Sequence, residues 1–538
     1  MYQFRMYTGF CALTFACSCS PTPDRGVSDP GNAPQHDFAA NETSLAYSAS
    51  SDLLFCGYND QAGAKMLVGP DTIANSLSNP TLAGLSYSKD RGLSWTRVGT
   101  LPPTPNCGDA NCPTGLRGDP WLAADGQNVV YVNLAMTDPN PDFGDDATHT
   151  PGSPISGIAY AHSSNGGKSF LAPASVNFHL AAFVPGGLKG AVVVDKPSVD
   201  ILGDVAVIAF DEPQVPGDQG IHFVTSVDGG LTFPISDALA SDFPPGTPLL
   251  LRVGSPLVKL FSPSSGYIAY LANQIDNMDG SATASPEIAR IDLTDPSNPA
   301  LGWTATKVFA LSVPTRFQNR VRGGQSREWR DVVPTSFAVG TAHINLIGGG
   351  SIDAPHLYYA FHEFDGTAAQ DVVVLWDCID ALANGCAVQS SGEPGPAWRV
   401  RTFAPNLPQA QVGGPELQPS VAALRGTATV ALEWYQGTTR ALTLPIWNIG
   451  VFSTNGGDTF TPQSNLRAEF ANSAYVPCPS FAGDAAGHSF GDYVGTIILP
   501  FALNRAGNPW LVTTSGYSNH CLARGNITDD QIIQALVW

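Results

Sequence analysis

Acidic, arginine and aromatic residues recur at two kinds of position in this chain, at the starts and at the ends of short apolar runs. The starts carry Arg117-Gly-Asp119, Asp195-Lys196, Arg252, Arg330-Asp331, Gln418 and Asp492-Tyr493. The ends carry Asn59-Asp60, Thr137-Asp138, Asp211-Glu212, His362-Glu363 and Glu433-Trp-Tyr435. Only 13% of the residues are charged, so this recurrence is a concentration. Carboxylates in such a group can trade protons with a reacting atom. Guanidinium forks can grip a carboxylate in a bidentate fashion, and a tyrosine beside a carboxylate base can become a nucleophile.

These residues need strands to hold them, and the chain supplies strands in repeats. A polar lead followed by a small apolar strand occurs at Glu42-Thr-Ser-Leu-Ala46, Asp119-Pro-Trp-Leu-Ala123, Asp195-Lys-Pro-Ser-Val199 and Gly254-Ser-Pro-Leu-Val258. It continues at Asp331-Val-Val-Pro-Thr335, Gln418-Pro-Ser-Val-Ala422 and Gly491-Asp-Tyr-Val-Gly495. A second strand follows most starts, as in Val129-Val-Tyr-Val-Asn133 and Val205-Ala-Val-Ile-Ala-Phe210. The starts are spaced by roughly 60 to 85 residues, above the ~40–50 of compact repeat blades, which leaves room for long loops. No long amphipathic helical pattern is present.

Downstream of these strands a phrase of the form S-x-[DN]-x-G-x-[ST]-[WF] occurs four times. It reads Ser88 to Trp95, Ser163 to Phe170, Ser226 to Phe233 and Ser453 to Phe460. The Gly permits a backbone angle closed to other residues, the Asp or Asn bonds its own backbone and holds the turn, and the terminal aromatic supplies an apolar plug. The acids of the phrase are therefore structural. Gly302-Trp303 and Ala397-Trp398 keep the plug without the turn.

The phrase resembles the Asp box of the sialidase-like (BNR-repeat) β-propellers. That resemblance implies an all-β fold, a single propeller of four-stranded blades, with seven blades favoured by the seven strand-one starts and six as the runner-up. The last repeat shows about three strands, and a strand near residues 36–41 is expected to complete it. In an up-down-up-down blade the boxes lie on the face opposite the strand-one starts, so any chemistry belongs to the other mouth. The resemblance further implies an arginine clamp, for which Arg117, Arg252 and Arg330 are placed best. Tyr493 would be the nucleophile with Glu433 or Glu212 as its partner, and Asp119 or Asp138 the acid. The first-blade arginine phrase of sialidases is missing, and Asn41-Glu-Thr-Ser44 stands in its place. Two carboxylates across the mouth could instead perform ordinary glycoside hydrolysis. The functional expectation is an extracytoplasmic glycan-acting propeller, an exo-glycosidase if it is an enzyme. The alternative is a non-catalytic cell-surface propeller that binds glycan or protein.

Composition and targeting fit this frame. The formal net charge is −20 and the pI about 4.7, which argues against nucleic acid or an anionic membrane as partner. The partner is expected to be a glycan or glycoconjugate, and the chain a monomer. Residues 1–19 read as a signal peptide, with Cys17 and Cys19 as possible lipid acceptors. Residues 20–40 read as a flexible tether, and 41–538 as one propeller domain. Such a protein would be secreted or lipid-anchored at the cell envelope of a bacterium. No later segment is apolar enough to span a membrane. Cys107 with Cys112, Cys378 with Cys386 and Cys478 with Cys521 are plausible bridges in an oxidising compartment, with Cys56 left over. No cofactor is expected; the acidic segment Thr137 to Asp146 could hold Ca²⁺ through oxygens but lacks EF-hand spacing.

Overall fold

The structure, a computed structural model, describes residues 25–26, 40–60, 83–100, 115–136, 157–171, 174–175, 194–212, 220–233, 237–242, 252–276, 281–295, 306–311, 315–318, 320–323, 327–330, 335–364, 371–381, 385–389, 394–403, 416–436, 447–462, 495–503, 509–518 and 531–537. Among them every regular element is a β-strand, and all pairing between strands is antiparallel. Seven sheets of four or more strands follow one another along the chain, and a two-stranded hairpin stands apart from them.

Each sheet begins with an inner strand. These are Ala40–Ser48, Gly115–Asp125, Asp195–Leu202, Arg252–Ser262, Thr335–Asn345, Glu416–Ala423 and Gly495–Leu503. Each inner strand packs on the next, and the seventh packs on the first. The seventh sheet has three sequential strands, and Arg25–Gly26 adds a fourth on the edge of Gln531–Val537. The expected completing strand at 36–41 is thus displaced. Ala40 and Asn41 are already paired with Asp60 and Asn59 in the first sheet, so the added strand comes from further upstream.

An inner strand is a sheet edge, and an edge leaves backbone donors unpaired. Hydroxyl and carboxylate side chains of adjoining inner strands satisfy several of them. Ser44 Oγ accepts from the Leu122 amide at 2.9 Å, Ser198 Oγ from Val258 at 3.1 Å, and Ser336 Oγ from Val421 at 3.0 Å. Thr43 Oγ1 accepts from Gly495 at 2.8 Å, which ties the first sheet to the seventh. Asp200 accepts from Leu260 at 2.7 Å. The small polar residues of the strand-one repeats are therefore inter-sheet caps.

The four repeated phrases fold into the same turn. In the first, Ser88 Oγ donates to Asp90 Oδ1 at 2.8 Å and accepts from the Gly92 amide at 2.7 Å. Asp90 in turn accepts from the Ser94 amide at 2.7 Å and the Ser94 hydroxyl at 2.5 Å. Asn does the same work in the second and fourth turns, where Asn165 Nδ2 donates to Ser169 Oγ at 2.7 Å and Asn455 Nδ2 to Thr459 Oγ1 at 3.0 Å. The locked turn delivers its aromatic onto the preceding sheet. Phe170 meets Phe55 edge-on with centroids 6.3 Å apart, Phe233 meets Tyr160 at 4.8 Å, and Phe460 meets Phe403 at 5.2 Å. Trp95 joins a cluster with Leu499 and Val512 of the seventh sheet. Trp398, which lacks the turn, still packs on Phe309 at 4.7 Å and donates from Nε1 to the Val308 carbonyl at 3.0 Å. Trp303 lies outside the described residues.

The turn glycines also dock. Gly167 has φ 79°, and a Cβ there would fall 2.0 Å from Phe55 Cζ. The turns adjoin the hairpins between strands one and two, as when Gly166 N–H donates to the Gln127 carbonyl and Gly229 N–H to that of Asp204. They therefore lie on the face away from the strand-one starts.

The inner strands of all seven sheets line one cavity of about 280 Å³. Across it, Arg425 of the sixth sheet pairs with Asp200 of the third and donates to the Ile201 carbonyl at 2.9 Å. Lys259 lies in the same cavity. Enclosure there pulls its ammonium below the ordinary value, with Asp200 opposing and Arg425 adding to the pull. Cys378 and Cys386 form the expected bridge and Cys56 is a buried free thiol. Cys107, Cys112, Cys478 and Cys521 lie outside the described residues, as do residues 1–24. No helix among the described residues is long and apolar enough to cross a membrane.

Replacing Asp90 by Asn should cost less than about 1 kcal/mol, whereas Asp90→Ala should cost about 1–3 kcal/mol through its lost and orphaned hydrogen bonds. Against the upward push of burial, bonds from Ser94 and Ser88 hold the Asp90 carboxyl below its ordinary 3.8. Its stabilisation is therefore present above pH 3.8 and lost as pH falls through the lowered value, and Asp90→Asn should remove that dependence. Gly167→Ala should cost more than about 2 kcal/mol from its left-handed backbone and the clash with Phe55. Denaturant titrations across pH measure all three; an Asn variant as unstable as the Ala variant would contradict the hydrogen-bond account.

Candidate functional site

The strand-one starts carry a device that repeats. Asp119, Lys196, Ser255 and Gln418 all have positive φ, of 50°, 47°, 60° and 49°, and each precedes a proline. The pairing register slips at each of them, between Gly118 and Trp121, Asp195 and Ser198, Gly254 and Leu257, and Leu417 and Ser420. These are bulges, which bend an edge strand and re-aim its side chains. A left-handed conformation in a residue other than glycine costs about 1–3 kcal/mol, and such strain gathers at functional sites. Asn59, at the end of the first sheet's second strand, braces one bulge by accepting from the Asp119 amide at 3.0 Å.

Three adjoining bulges, on the second, third and fourth sheets, assemble a charged cluster. Lys196 Nζ lies 2.8 Å from Asp119 Oδ2, with both side chains nearly nine-tenths buried. The Lys196 amide bonds Asp195 Oδ1 at 2.9 Å. Asp211, on Val205–Glu212, is the register partner of Asp195 and is only 3% exposed. Its carboxyl is raised well above the ordinary value, first by burial and then by the neighbouring Asp195 charge. Lys196 and the Ser255 backbone N–H pull the other way, and Asp119 adds to the rise. One of its oxygens, Oδ1, is buried with no hydrogen-bond partner among the described residues. Two carboxyls of one cluster thus sit in different environments. Asp119 stands against the Lys196 ammonium, whereas burial and the Asp195 charge bias Asp211 toward its protonated form. Such divergence marks acid and base partners.

The sequence-predicted residues divide accordingly. Asp119 belongs to the cluster. Glu433 is 2% exposed and accepts from Thr496 Oγ1 of the seventh sheet at 3.2 Å, so it sits at the sixth–seventh interface. For Arg117, Arg252, Arg330 and Glu212 the structure describes the backbone alone. Arg117 and Arg252 lie on inner strands, Glu212 ends a second strand opposite Gly220, and Arg330 pairs with Arg320 in the separate hairpin. Tyr493, Asp138 and the acidic segment 137–146 lie outside the described residues. Lys196 and Asp211 stand among the strand-one starts and strand-two ends that the sequence marks; a residue immediately before proline, as at four of the seven inner strands, is a signal that could have singled out the first.

His356 and His362 are buried. His356 contacts Asp377 at 3.1 Å and Tyr358 at 2.9 Å, inside a network that Arg399 extends to Asp458 at 2.5 Å. It ties the fifth sheet to the sixth and stands on the box side.

No protein-family profile matches this chain, and no characterised protein matches it by sequence. Similar solved structures include a Hadza microbial sialidase, at 13% identity over 82% of this chain and 69% of that one, with a TM-score of 0.39. An α-L-arabinofuranosidase from Fusarium graminearum is 10% identical over 96% and 98%, with a TM-score of 0.41. A Trypanosoma rangeli sialidase is 12% identical over 93% and 69%, with a TM-score of 0.35. Likenesses at this level assign no activity.

The buried Asp211 makes a signed prediction. Its folded carboxyl holds a proton that the unfolded chain releases near pH 3.8, so the native state binds more protons above that pH and stability falls as pH rises. Asp211→Asn should match the parent below pH 3.8 and exceed it increasingly at higher pH. Chemical denaturation at a series of pH values measures this; a variant less stable than the parent at neutral pH would contradict it.

Proposed function

We propose that the chain is a glycan-acting seven-bladed β-propeller working outside the cytoplasm, and that it cleaves glycosidic bonds at the bulged mouth. The observation that supports this reading best is the cluster of Asp119, Lys196, Asp195 and Asp211, in which burial and the Asp195 charge bias Asp211 toward its proton while Lys196 pairs with Asp119. Glycoside hydrolysis needs an acid to protonate the leaving oxygen and a carboxylate to activate water or to attack. Asp211 would give the proton. Asp195 or Asp119 would act as the carboxylate, and Lys196 would keep that carboxylate ionised. Asp119, Asp195 and Lys196 stand where inner strands begin and Asp211 near the end of a second strand beside them, which is where a glycan end would enter. In the sialidase-like form of this reading Arg117, Arg252 and Arg330 would clamp a substrate carboxylate, and Tyr493 would attack with Glu433 or Glu212 behind it.

A non-catalytic propeller that binds glycan is the second reading. The Lys196–Asp119 pair favours it, because a carboxylate held in a buried ion pair is a poor proton acceptor.

Turnover of fluorogenic glycosides, sialosides and arabinosides among them, separates the two. On the first reading Asp211→Asn should lower kcat by at least about 100-fold, within the span ascribed to general acid catalysis, with KM little changed, and should abolish the basic limb of the pH profile. Binding without turnover on any glycoside, or full activity in the Asn variant, would sink the hydrolase reading.

A further inference from the structure

Arg316, Arg320, Arg322, Arg327 and Arg330 fall within one short stretch of a chain whose net charge is −20 and which holds only 26 basic residues. Only the part that holds Arg316 belongs to one of the seven sheets. Thr315–Gln318 pairs with the start of Ser281–Asp292, at the end of the fourth sheet where Ala282 faces Asp276. Arg320–Gly323 and Arg327–Arg330 then form the separate hairpin, and the fifth inner strand starts at Thr335. The hairpin is therefore anchored at both ends on the mouth side, the side of the strand-one starts. Its register sets Arg320 opposite Arg330 and Arg322 opposite Glu328. Side-chain positions alternate along a strand, so these four positions share one face. Val321, Trp329, Gly323 and Arg327 share the other.

We propose that this hairpin is a binding element for an acidic glycan, a saccharide chain bearing carboxylate or sulfate groups, and that it sets which glycans reach the mouth. The proposal rests on the glycan-acting reading and names the substrate class for it. Three arginines on one face suit planar, bidentate recognition of carboxylate or sulfate. The glycan reading of the mouth favours a saccharide, and binding to nucleic acid is an outcome of the test. Glu328 on the same face offsets part of the positive charge, so its removal should strengthen the site.

Affinity electrophoresis of the full-length chain in gels containing polygalacturonate, dextran sulfate, neutral dextran or single-stranded DNA tests this. Retardation is expected with polygalacturonate or dextran sulfate, whichever of the two carries the matching group, and not with neutral dextran. It should weaken in added salt as screening grows. Arg320→Gln with Arg322→Gln should weaken it about tenfold, some 1.4 kcal/mol, and Glu328→Gln should strengthen it two- to threefold, about 0.4–0.7 kcal/mol. The last variant gains affinity, so misfolding cannot produce the expected result. Equal retardation by neutral dextran, tighter binding to DNA than to either acidic glycan, no retardation by any acidic polymer, or weakening in Glu328→Gln would overturn the proposal. Binding and turnover fail separately. Acidic-glycan retention without hydrolysis leaves the hairpin standing and removes the hydrolase reading, and hydrolysis without retention does the reverse.

Discussion

The inner edge of each sheet is the constraint on which the rest of the structure depends. A sheet that ends at an inner strand exposes backbone donors there, and leaving a buried donor unpaired costs about 1–3 kcal/mol. The chain answers with Ser44, Ser198, Ser336, Thr43 and Asp200, each reaching from one inner strand to another. These bonds set the stagger between sheets, and the stagger decides which side chains meet at the centre. The cavity lined by all seven inner strands follows from it, and so does the meeting of Arg425 and Asp200 from opposite parts of the sequence. That pair joins the third and sixth sheets, which are not sequential neighbours, and so braces the channel across its width.

The two faces then take different roles. On the box face every residue agrees with its neighbours: a short polar side chain closes the turn, a glycine with positive φ docks on the preceding sheet, and an aromatic fills the gap. On the opposite face the agreement stops. Four residues before prolines hold left-handed backbones, where proline already disfavours helical conformations in its predecessor. The locked face supplies the rigidity that lets the bulged face keep its strain, since strained backbone persists only where the surroundings over-determine it.

This division also explains what was legible in the sequence. The box turn is a local object, with all its bonds within eight residues, so Ser88, Asp90, Gly92 and Trp95 announce it directly. The inner strands were readable for the same reason, by their short apolar runs. The members of the cluster stand among the charged strand starts and ends, but their pairing was not legible, because a bulge shifts the alternation that assigns side chains to faces. At the end of Val205–Glu212, Asp211 enters the buried cluster although Glu212 has the longer reach. Glu433 looked like its counterpart, yet it is engaged by Thr496 from the neighbouring sheet, a partner 63 residues away that no local pattern reveals. Lys196 is the positive case: its lysine-before-proline repeats the aspartate-before-proline of the second sheet, and the two side chains pair because the same bulge recurs on adjacent sheets.

The charge arrangement at that pairing is the last step. An ammonium within 2.8 Å of Asp119 stabilises the ionised form of that carboxylate and also lowers the cost of ionising Asp211, yet burial and the Asp195 charge outweigh it at Asp211. One cation therefore cannot neutralise three carboxyls in so little water, and the surplus is relieved by keeping a proton on the most buried of them. Asp211 Oδ1 is buried with no hydrogen-bond partner among the described residues. Stability alone favours an apolar residue or an amide at that position. The proposed hydrolysis asks for such an acid at a mouth, and for that reason the second, third and fourth sheets, rather than the repeated turns, carry the proposed function.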